Sequence, residues 1–304
     1  MAEVGMSQYL QRLLVGARGA LRPLVPKRFR SDIPVVPVVR LSGIIGFSTP
    51  LKPGITVAGV ARPLERAFNM RNARAVALVV NSPGGSPVQS HLIYRRIRQL
   101  AEEKNRPVIA FVEDVGASGG YMVACAADEI FCDVSSILGS IGVVGGSFGF
   151  PKLMERMGVE RRLYTAGEHK AMLDPFLPEN PDDVERLKTV QKEIHASFIS
   201  LVKQSRGGRL KGPENALFSG EYWAGQKSIE LGLADGIGDL RSTLRERFGD
   251  KVVTPLIAAD RSLLGRPRPG VGLAGSEAFS LGAELAGDAI SALEARALWA
   301  RYGL

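Results

Sequence analysis

Residues 108–120 read VIAFVEDVGASGG, and this stretch decides the fold prediction. Its first part, Val108–Val112, follows Pro107 as a continuous apolar run, which is typical of a strand buried on both faces. The run Val76–Val80 has the same character and ends at the Asn-Ser-Pro-Gly-Gly turn of residues 81–85. A stretch with helical periodicity follows each run. This alternation predicts an α/β fold with a parallel sheet that helices cover on both faces.

Further elements are predicted on both sides of these two strands. The predicted strands are an edge strand within Ile33–Leu41, a short strand at Ile130–Cys132 and another at Arg161–Thr165. The predicted helices are one with Leu92, Ile93, Ile97 and Leu100 on one face, a small-residue helix up to about Ala127, a long helix from Pro181 to near Gly207, and a last one over 276–301. The long helix is expected to bury a single stripe, made of Val184, Leu187, Val190, Ile194, Phe198 and Val202.

The turn of residues 116–120, GASGG, holds the first candidate for catalysis. Its serine, Ser118, stands between a predicted strand and a predicted helix, a context in which a sharp turn exposes a nucleophilic hydroxyl. Small neighbouring residues allow a substrate backbone to approach closely. The pattern also suits a structural turn or a helix cap, because serine is a favoured capping residue. On the residues alone, both interpretations stay open.

A second glycine-rich turn, residues 82–86 (SPGGS), ends the preceding strand. Parallel neighbours bring such turns together at the carboxyl ends of their strands. Two turns there can aim two backbone N–H groups at one point, as a developing oxyanion requires. A purely structural turn is the alternative, and phosphate binding is not expected because no lysine follows at P-loop spacing. Segments 83–88 and 141–146 are candidate walls of a substrate site.

A catalytic serine needs a general base. Of the three histidines, His91 and His195 are predicted to lie on helices, whereas His169 lies in a loop. Lys170 follows His169 and precedes an apolar triplet, residues 171–173. A lysine can act as a base where burial favours its uncharged amine, although most lysines are solvated. The residues alone therefore leave the identity of the base open.

Charge and composition suggest three regions: a basic amphipathic N-terminal segment over 1–32, one domain over 33–262, and a linker with a helical tail over 263–304. Segment 1–32 carries six Lys or Arg against two Asp or Glu, which is half of the formal net charge of +8. It is interpreted either as a solvated extension or as an arm that contacts anionic lipid at a membrane surface. Nucleic-acid binding is not expected, because the segment has no stacking aromatics at a useful spacing.

Membrane spans, disulfides and metal sites are not predicted. The longest uncharged stretch, Val134–Pro151, contains five glycines and four serines, unlike a membrane helix. Cys125 and Cys132 lie in apolar context and are interpreted as core thiols. Cysteines and histidines do not occur at metal-ligand spacing. A cytoplasmic location without cofactor or metal is therefore expected, with peripheral membrane contact through residues 1–32 as an option.

The run from about Val76 to Gly238 resembles the bacterial signal peptide peptidase A family of serine peptidases. Five pieces occur in family-like order and spacing, including the 52 positions from Ser118 to Lys170. Each piece alone is weak evidence for the family, but the five together are specific to it. They are Asn81-Ser82-Pro83-Gly84-Gly85, Ala117-Ser118-Gly119-Gly120-Tyr121, Gly139-Ser140-Ile141-Gly142-Val143, Gly167-Glu168-His169-Lys170 and Gly232-Leu233-Ala234-Asp235.

The resemblance implies a ClpP/crotonase-like fold, a spiral of ββα units around a parallel sheet. It implies Ser118 as nucleophile, Lys170 as base, and the N–H groups of Gly85 and Gly119 as oxyanion hole. The hydroxyl of Ser140 is implied to hold the lysine amine. Family members assemble into homo-oligomeric rings whose sites combine serine and lysine from neighbouring subunits. They cleave apolar peptides such as signal-peptide remnants without a cofactor.

The chain departs from the family pattern at its N-terminus, where a basic amphipathic segment replaces the usual membrane anchor. This departure bears on location and substrate, not on the dyad. Three other functions stay open, and the simplest is a non-catalytic ring scaffold. An α/β-hydrolase esterase would pair Ser118 with His169 and an acid such as Asp133. A crotonase-like acyl-thioester-binding protein would use the same N–H pair and would give Lys170 no role.

Overall fold

The computed structural model describes residues 33–46, 54–258 and 296–304. Within these ranges the strands are β1 (Val38–Ser42), β2 (Val76–Ser82), β3 (Val108–Ala117), β4 (Glu129–Cys132), β5 (Ile137–Gly139), β6 (Tyr222–Ala224) and β7 (Gly236–Ile237). The helices are α1 (Val57–Phe68), α2 (Pro87–Lys104), α3 (Gly119–Ala124), α4 (Pro151–Met157), α5 (Pro181–Arg206), α6 (Glu214–Leu217), α7 (Gly225–Glu230) and α8 (Leu240–Phe248), with a 3₁₀ turn at Gly207–Arg209.

Five strands form a parallel sheet in the order β1-β2-β3-β4-β7. Strand β3 is long enough to pair twice: residues 109–112 pair with β4, and residues 115–117 pair with β5. Strand β6 continues this second branch antiparallel to β5. The predicted α/β fold with a parallel sheet is thus confirmed. The branching of β3 suits the ββα spiral that the resemblance implied, and residue 118 follows directly after the part of β3 that pairs with β5.

The core lies on both faces of β2, which explains why its sequence is a continuous apolar run. Val76, Leu78 and Val80 face a cluster that includes residues of α1, α2 and α3. Ala77 and Val79 face a second cluster that includes Leu244 of α8, among others. A strand with helices over both faces has no position for a polar side chain, so alternation disappears.

The two cysteines are buried free thiols, as predicted. Burial raises the pKa of Cys125 to about 11 and that of Cys132 to about 12. Because the thiolate is the nucleophilic form, both thiols are inert near neutral pH.

A buried ion pair ties the end of α5 to the sheet. The Arg206 side chain is 0% exposed and donates from both terminal nitrogens to Asp235, at 2.8 and 2.9 Å. Its Nε donates to the Gly232 carbonyl at 2.9 Å. Asp235 also accepts a hydrogen bond from the Ile130 N–H of β4 at 2.7 Å. The Gly-Leu-Ala-Asp piece at 232–235 therefore serves structure, because it satisfies a cation that has lost its hydration.

Two sequence predictions are wrong. Residues 161–165 are exposed and irregular, not a strand. The predicted core stripe of α5 is buried only in its last part, where Phe198 and Val202 reach the core, whereas Val190 is 49% exposed. The earlier stripe positions Val184, Leu187 and Ile194 are only partly buried. Amphipathic spacing shows that a helix has an apolar face, but it does not show that the same chain supplies the cover.

Only some of the predictions for the two ends of the chain fall on residues that the structure describes. Segment 1–32 lies outside the described residues, as do residues 276–295 of the predicted last helix. Residues 296–300 are helical, in agreement with the end of that prediction.

Candidate active site

Ser118 occupies the turn between β3 and α3. Its backbone has φ 51° and ψ −123°, a conformation that is costly for a residue with a side chain. The side chain makes no capping hydrogen bond to α3, so the capping interpretation is wrong. The Ser118 N–H donates to the Gly139 carbonyl at 2.8 Å, which ties the turn to the end of β5. A strained serine that does not cap its helix is typical of a nucleophile position.

The N–H groups of Gly85 and Gly119 lie close together beside Ser118. A methyl group added to Gly119 would be 3.4 Å from the Gly85 nitrogen. One added to Gly84 would be 2.8 Å from both the Gly119 nitrogen and the Ser118 Cβ. Within the described part of the chain, neither N–H has a hydrogen-bond acceptor. Two unpartnered donors next to a serine can bind an oxyanion.

The turn that carries Gly85 is pinned to the segment before it. The Ile45 N–H donates to the Gly84 carbonyl, and the Ser86 N–H donates to the Ile45 carbonyl, each at 2.8 Å. Gly85 has φ +141°, and a methyl group there would lie 2.1 Å from the Ile45 carbonyl oxygen. Only glycine fits at this position. The pinning therefore holds one oxyanion donor rigidly against the serine turn.

A cavity of about 760 Å³ opens beside Ser118. Gly85, Ser118 and Ser140 line it, so the structure brings together these three predicted residues, with Gly119 adjacent. Both predicted walls contribute to the lining, through Pro83 and Pro87 on one side and through residues 142–144 on the other. Its size is in the range of small-ligand sites, and the cavity leaves room for part of a peptide.

Ser140 is held at the end of β5 in a second positive-φ conformation, φ 53°. Its N–H donates to the Glu221 carbonyl at 2.6 Å, so its backbone is tied to the segment before β6. Its hydroxyl accepts a hydrogen bond from the Tyr302 hydroxyl at 3.3 Å. The side chain that was predicted to hold a lysine amine thus faces the cavity and contacts the C-terminal segment.

Lys170 is not brought to the serine within one chain. It is exposed, it lies in a turn after Gly167, and it is not among the residues that line the cavity. His169 is likewise half exposed and outside the lining. The Asp133 carboxylate accepts from the Ser135 N–H at 2.8 Å and has no contact with His169. The described chain therefore assembles neither the esterase triad nor a cavity that Lys170 lines.

A small cluster nevertheless fixes the segment around Lys170. Arg161 pairs with Asp174 at 2.6 Å and lies 4.8 Å from the centre of the Phe176 ring. Phe176 packs on Phe150 with ring centres 5.6 Å apart, and the Phe150 N–H donates to the Pro175 carbonyl at 2.7 Å. These contacts hold the turn without help from the main core.

The region around this cluster exposes many large apolar side chains. Tyr164 is 90% exposed, Phe148 is 72% exposed and Met157 is 68% exposed. Others are also exposed: Val144, Leu153, Val159, Leu163, Met172, Leu177 and Val190. A dense apolar surface of this kind marks an interaction site. The set includes Met172, two residues after Lys170, and Val190 on α5.

His195 is a cavity residue that the sequence interpretation passed over. It lies on α5, lines the same cavity as Ser118, and its Nε2 is 3.0 Å from the Ile141 carbonyl oxygen. The hydrogen bond holds the chain just after Ser140, where the second wall of the cavity starts. Its helical position hid this role, since only the fold brings this part of α5 to the chain that follows β5.

We expect His195→Ala to weaken substrate binding more than chemistry. Loss of the bond to Ile141 loosens the wall, so KM should rise about three- to tenfold while kcat stays within about twofold. His195→Gln, which keeps an N–H donor, should recover part of the loss. His91→Ala, on α2, is the matched control and should change neither constant. An unchanged KM, or a collapse of kcat, would contradict a positioning role for His195.

Helices long and apolar enough to cross a membrane do not occur in the described ranges. Groups of His, Cys, Asp or Glu that could hold a metal ion are likewise absent from the residues that the structure describes.

Comparison with known proteins gives a family. The sequence model described as Peptidase family S49 matches residues 100–252, half of the chain. A protein of Brucella abortus (strain 2308) named Na(+)/H(+) antiporter NhaA is 54% identical over 289 residues, covering 94% of this chain but 39% of that protein. The chloroplastic serine protease SPPA of Arabidopsis thaliana is 32% identical over 181 residues, covering 58% of this chain and 26% of the relative.

The chain therefore spans well under half the length of both relatives. Among solved structures, a mutant of the 1510-N membrane-bound stomatin-specific protease has a TM-score of 0.46 at 15% identity, covering 75% of this chain and 98% of that one.

Proposed function

Because the chain belongs to peptidase family S49, we propose that it is a serine peptidase in which Ser118 attacks a peptide carbonyl. The observation that carries the proposal is the strained Ser118 turn beside the unpartnered N–H groups of Gly85 and Gly119. The antiporter name belongs to relatives of which this chain matches 39%. The activity of the matched region is inferred from its site.

The proposed reaction is acyl transfer. The hydroxyl of Ser118 loses its proton to the uncharged amine of Lys170 as its oxygen bonds to the carbonyl carbon. The N–H groups of Gly85 and Gly119 donate to the resulting oxyanion, and one such donor is typically worth about 3 kcal/mol. The C–N bond then breaks as the lysine returns the proton to the leaving amine. Water, deprotonated by the same lysine, hydrolyses the ester and restores the serine.

The lysine is proposed to come from a neighbouring copy of the chain in a homo-oligomeric ring. Two observations support this: Lys170 lies outside the Ser118 cavity of its own chain, and the region around it exposes a dense apolar surface. Burial of that surface against a second copy would also remove water from the amine, which favours its uncharged form. Ser140 would then hold the amine by a hydrogen bond.

The proposed substrates are apolar peptides in extended conformation, with signal-peptide remnants as one source. The cavity walls at 83–88 and 141–146 contain prolines, glycines and valines, which suit small apolar side chains. A peptide lying between them could add as a strand to the edge of the branch.

Reaction of Ser118 with a fluorophosphonate probe tests the proposal directly. The wild-type chain should be labelled at Ser118, and Ser118→Ala should not be labelled. Absence of labelling in an assembled, folded protein would contradict a nucleophilic serine.

Lys170→Met should abolish peptidase activity, and full retention of function by that variant would instead favour an acyl-thioester-binding protein.

The pH profile distinguishes a lysine base from a histidine base. A lysine base predicts that kcat/KM rises toward alkaline pH, whereas a histidine base of ordinary pKa, ~6.5, predicts a profile that levels off above about pH 7. His169→Ala should stay within about twofold of the wild type. A plateau from pH 7, or loss of activity in His169→Ala, would contradict the lysine.

A further inference from the structure

The two turns that carry the oxyanion donors meet at a buried serine, Ser90. It lies on α2, four residues after Ser86, and it is 0% exposed. A methyl group added to Gly119 would lie 2.3 Å from the Ser90 hydroxyl oxygen and 3.4 Å from the Gly85 nitrogen. The Ser90 hydroxyl therefore fills the space that a side chain at position 119 would need.

The hydrogen bond of Ser90 does not explain why a serine is present. The hydroxyl donates to the Ser86 carbonyl at 2.8 Å, and within the described part of the chain it has no other partner. That carbonyl already accepts the Ser90 N–H at 3.0 Å, so it is hydrogen-bonded without the hydroxyl. Serine is also a poorer helix former than alanine. The stability of α2 alone would therefore favour alanine at position 90.

Space, not backbone conformation, explains why residue 119 is a glycine. Gly119 is the first residue of α3 and has a negative φ, which any residue can adopt. The two atoms nearest to an added methyl group are the hydroxyl oxygen of Ser90 at 2.3 Å and its Cβ at 3.3 Å. Ser90 and Gly119 are thus a matched pair, in which a hydroxyl on α2 packs against the backbone that begins α3.

Ser90 connects the two oxyanion donors. Its hydroxyl is bonded to the carbonyl of Ser86, the residue after Gly85, and its oxygen packs against Gly119. Ser86 is itself held, because its N–H donates to the Ile45 carbonyl at 2.8 Å. The distance between the two N–H groups therefore depends on the size of one buried side chain. Groups that stabilise a transition state must be held within about 0.5 Å of their productive positions.

We propose that Ser90 is a positioning residue of the oxyanion hole, whose hydroxyl sets where the Gly119 N–H lies relative to the Gly85 N–H. The inference rests on the proposed function, because it concerns the site at which Ser118 would react. Ser90 is not among the residues that line the cavity, so it does not contact a substrate there. Loss of its hydroxyl should therefore slow the reaction of Ser118 and leave binding in the cavity unchanged.

Fluorophosphonate labelling separates reaction from binding, because it gives both the inactivation rate constant kinact and the half-saturating probe concentration KI. Ser90→Ala should lower kinact about tenfold, since the phosphoryl oxygen of the probe uses the same two donors, and should leave KI within about twofold. Ser228→Ala is the matched control. Ser228 is also 0% exposed, and its hydroxyl also donates to the carbonyl four residues earlier, at 3.0 Å, but on α7. This variant should keep both constants within about twofold.

A double variant tests the contact itself. Gly119→Ala should lower kinact at least about a hundredfold, because its methyl group meets the Ser90 oxygen. Adding Ser90→Ala removes that oxygen and leaves the nearest atoms at 3.3 and 3.4 Å. The double variant should therefore be labelled about tenfold faster than Gly119→Ala and should melt at a higher temperature. Two residues that act independently would make the double variant slower than Gly119→Ala, and that result would overturn the proposal.

These measurements separate the inference from the proposed function. If Ser90→Ala is labelled as fast as the wild type, the inference is wrong and the serine peptidase stands. If the wild type and all variants stay unlabelled, the proposed catalysis is wrong. The melting temperatures then decide the inference, which fails if the double variant melts no higher than Gly119→Ala. If Gly119→Ala does not fold, the labelling constants of Ser90→Ala and Ser228→Ala decide the inference alone.

Discussion

Mixing Ser118→Ala chains with Lys170→Ala chains should restore peptidase activity that neither variant has alone. Each single variant should lose at least about a thousandfold in kcat/KM, because the residues of a catalytic unit fail together. In a random one-to-one mixture, about a quarter of shared sites in a closed ring receive both an intact serine and an intact lysine. Recovery should approach that fraction of wild-type activity.

The expectation follows from where one chain places its parts. Ser118, its two N–H donors and Ser140 are assembled within a single copy, whereas Lys170 is exposed outside the cavity. If the lysine acted within its own chain, no mixture could combine intact residues. Complementation is therefore a direct test of a site shared between copies.

Controls must show that the variants assemble together. A mixture of Ser118→Ala with the double variant Ser118→Ala/Lys170→Ala contains no intact serine and should remain inactive. Sedimentation or native mass spectrometry should show mixed assemblies in both cases. If a confirmed mixed assembly recovers no peptidase activity, the proposal of a site shared between copies is wrong.

The second large effect is on stability: Asp235→Ala should lower the free energy of unfolding by about 3–5 kcal/mol. The substitution leaves the Arg206 guanidinium, 0% exposed, without its two charge-assisted hydrogen bonds. It also leaves the Ile130 N–H of β4 without an acceptor. A buried charge without a partner costs more free energy than the intact ion pair contributes. Asp235→Ala should therefore lower the free energy of unfolding by more than the removal of an ordinary surface carboxylate does.

Urea denaturation of the two variants Asp235→Ala and Asp239→Ala measures this effect. Asp239 is an exposed helix cap that accepts from the N–H groups of Arg241 and Ser242, and its loss should cost only about 1 kcal/mol. Asp235→Asn, which keeps the shape and an acceptor oxygen, should fall between the two. Equal midpoints for Asp235→Ala and Asp239→Ala would contradict the assigned role of the buried pair.

The same ion pair predicts a dependence of stability on acid. Burial alone would raise the pKa of Asp235, but hydrogen bonds from Arg206 and the Ile130 N–H outweigh burial and hold that pKa below its ordinary value. A carboxyl with a lowered folded-state pKa stabilises the protein fully above the unfolded value of ~3.9 and loses this contribution as the pH falls further. Wild-type stability should therefore drop below about pH 4, and Asp235→Ala should lack that part of the drop.

Local sequence was sufficient to predict several parts of the fold and site. Apolar runs long enough for a strand but lacking alternation indicated a parallel sheet, and Pro and Gly marked the turns between elements. The turns at residues 82–86 and 116–120 were identified because their conformations depend on small residues at those positions. Here neighbours in sequence decide the outcome, so a pattern along the chain carries the information.

Predictions failed where a residue's surroundings come from distant parts of the chain. The apolar stripe of α5 was real, but only its last turns pack on the core, and Val190 is 49% exposed. The strand predicted over 161–165 is irregular, because Arg161 is drawn into contacts with Asp174 and Phe176. Helix amphipathicity and strand propensity do not show which parts of the folded chain will pack against a segment.

The sequence by itself determined the α/β class, the serine turn and the glycines that can supply an oxyanion hole. Only the tertiary structure decided that His195, Tyr222 and Tyr302 share a cavity with Ser118 and that Lys170 does not. The physical reason is the branching of β3, which pairs first with β4 and then with β5. That change of partner brings α5, β6 and the C-terminal residues to the serine, and spacing along the chain does not reveal it.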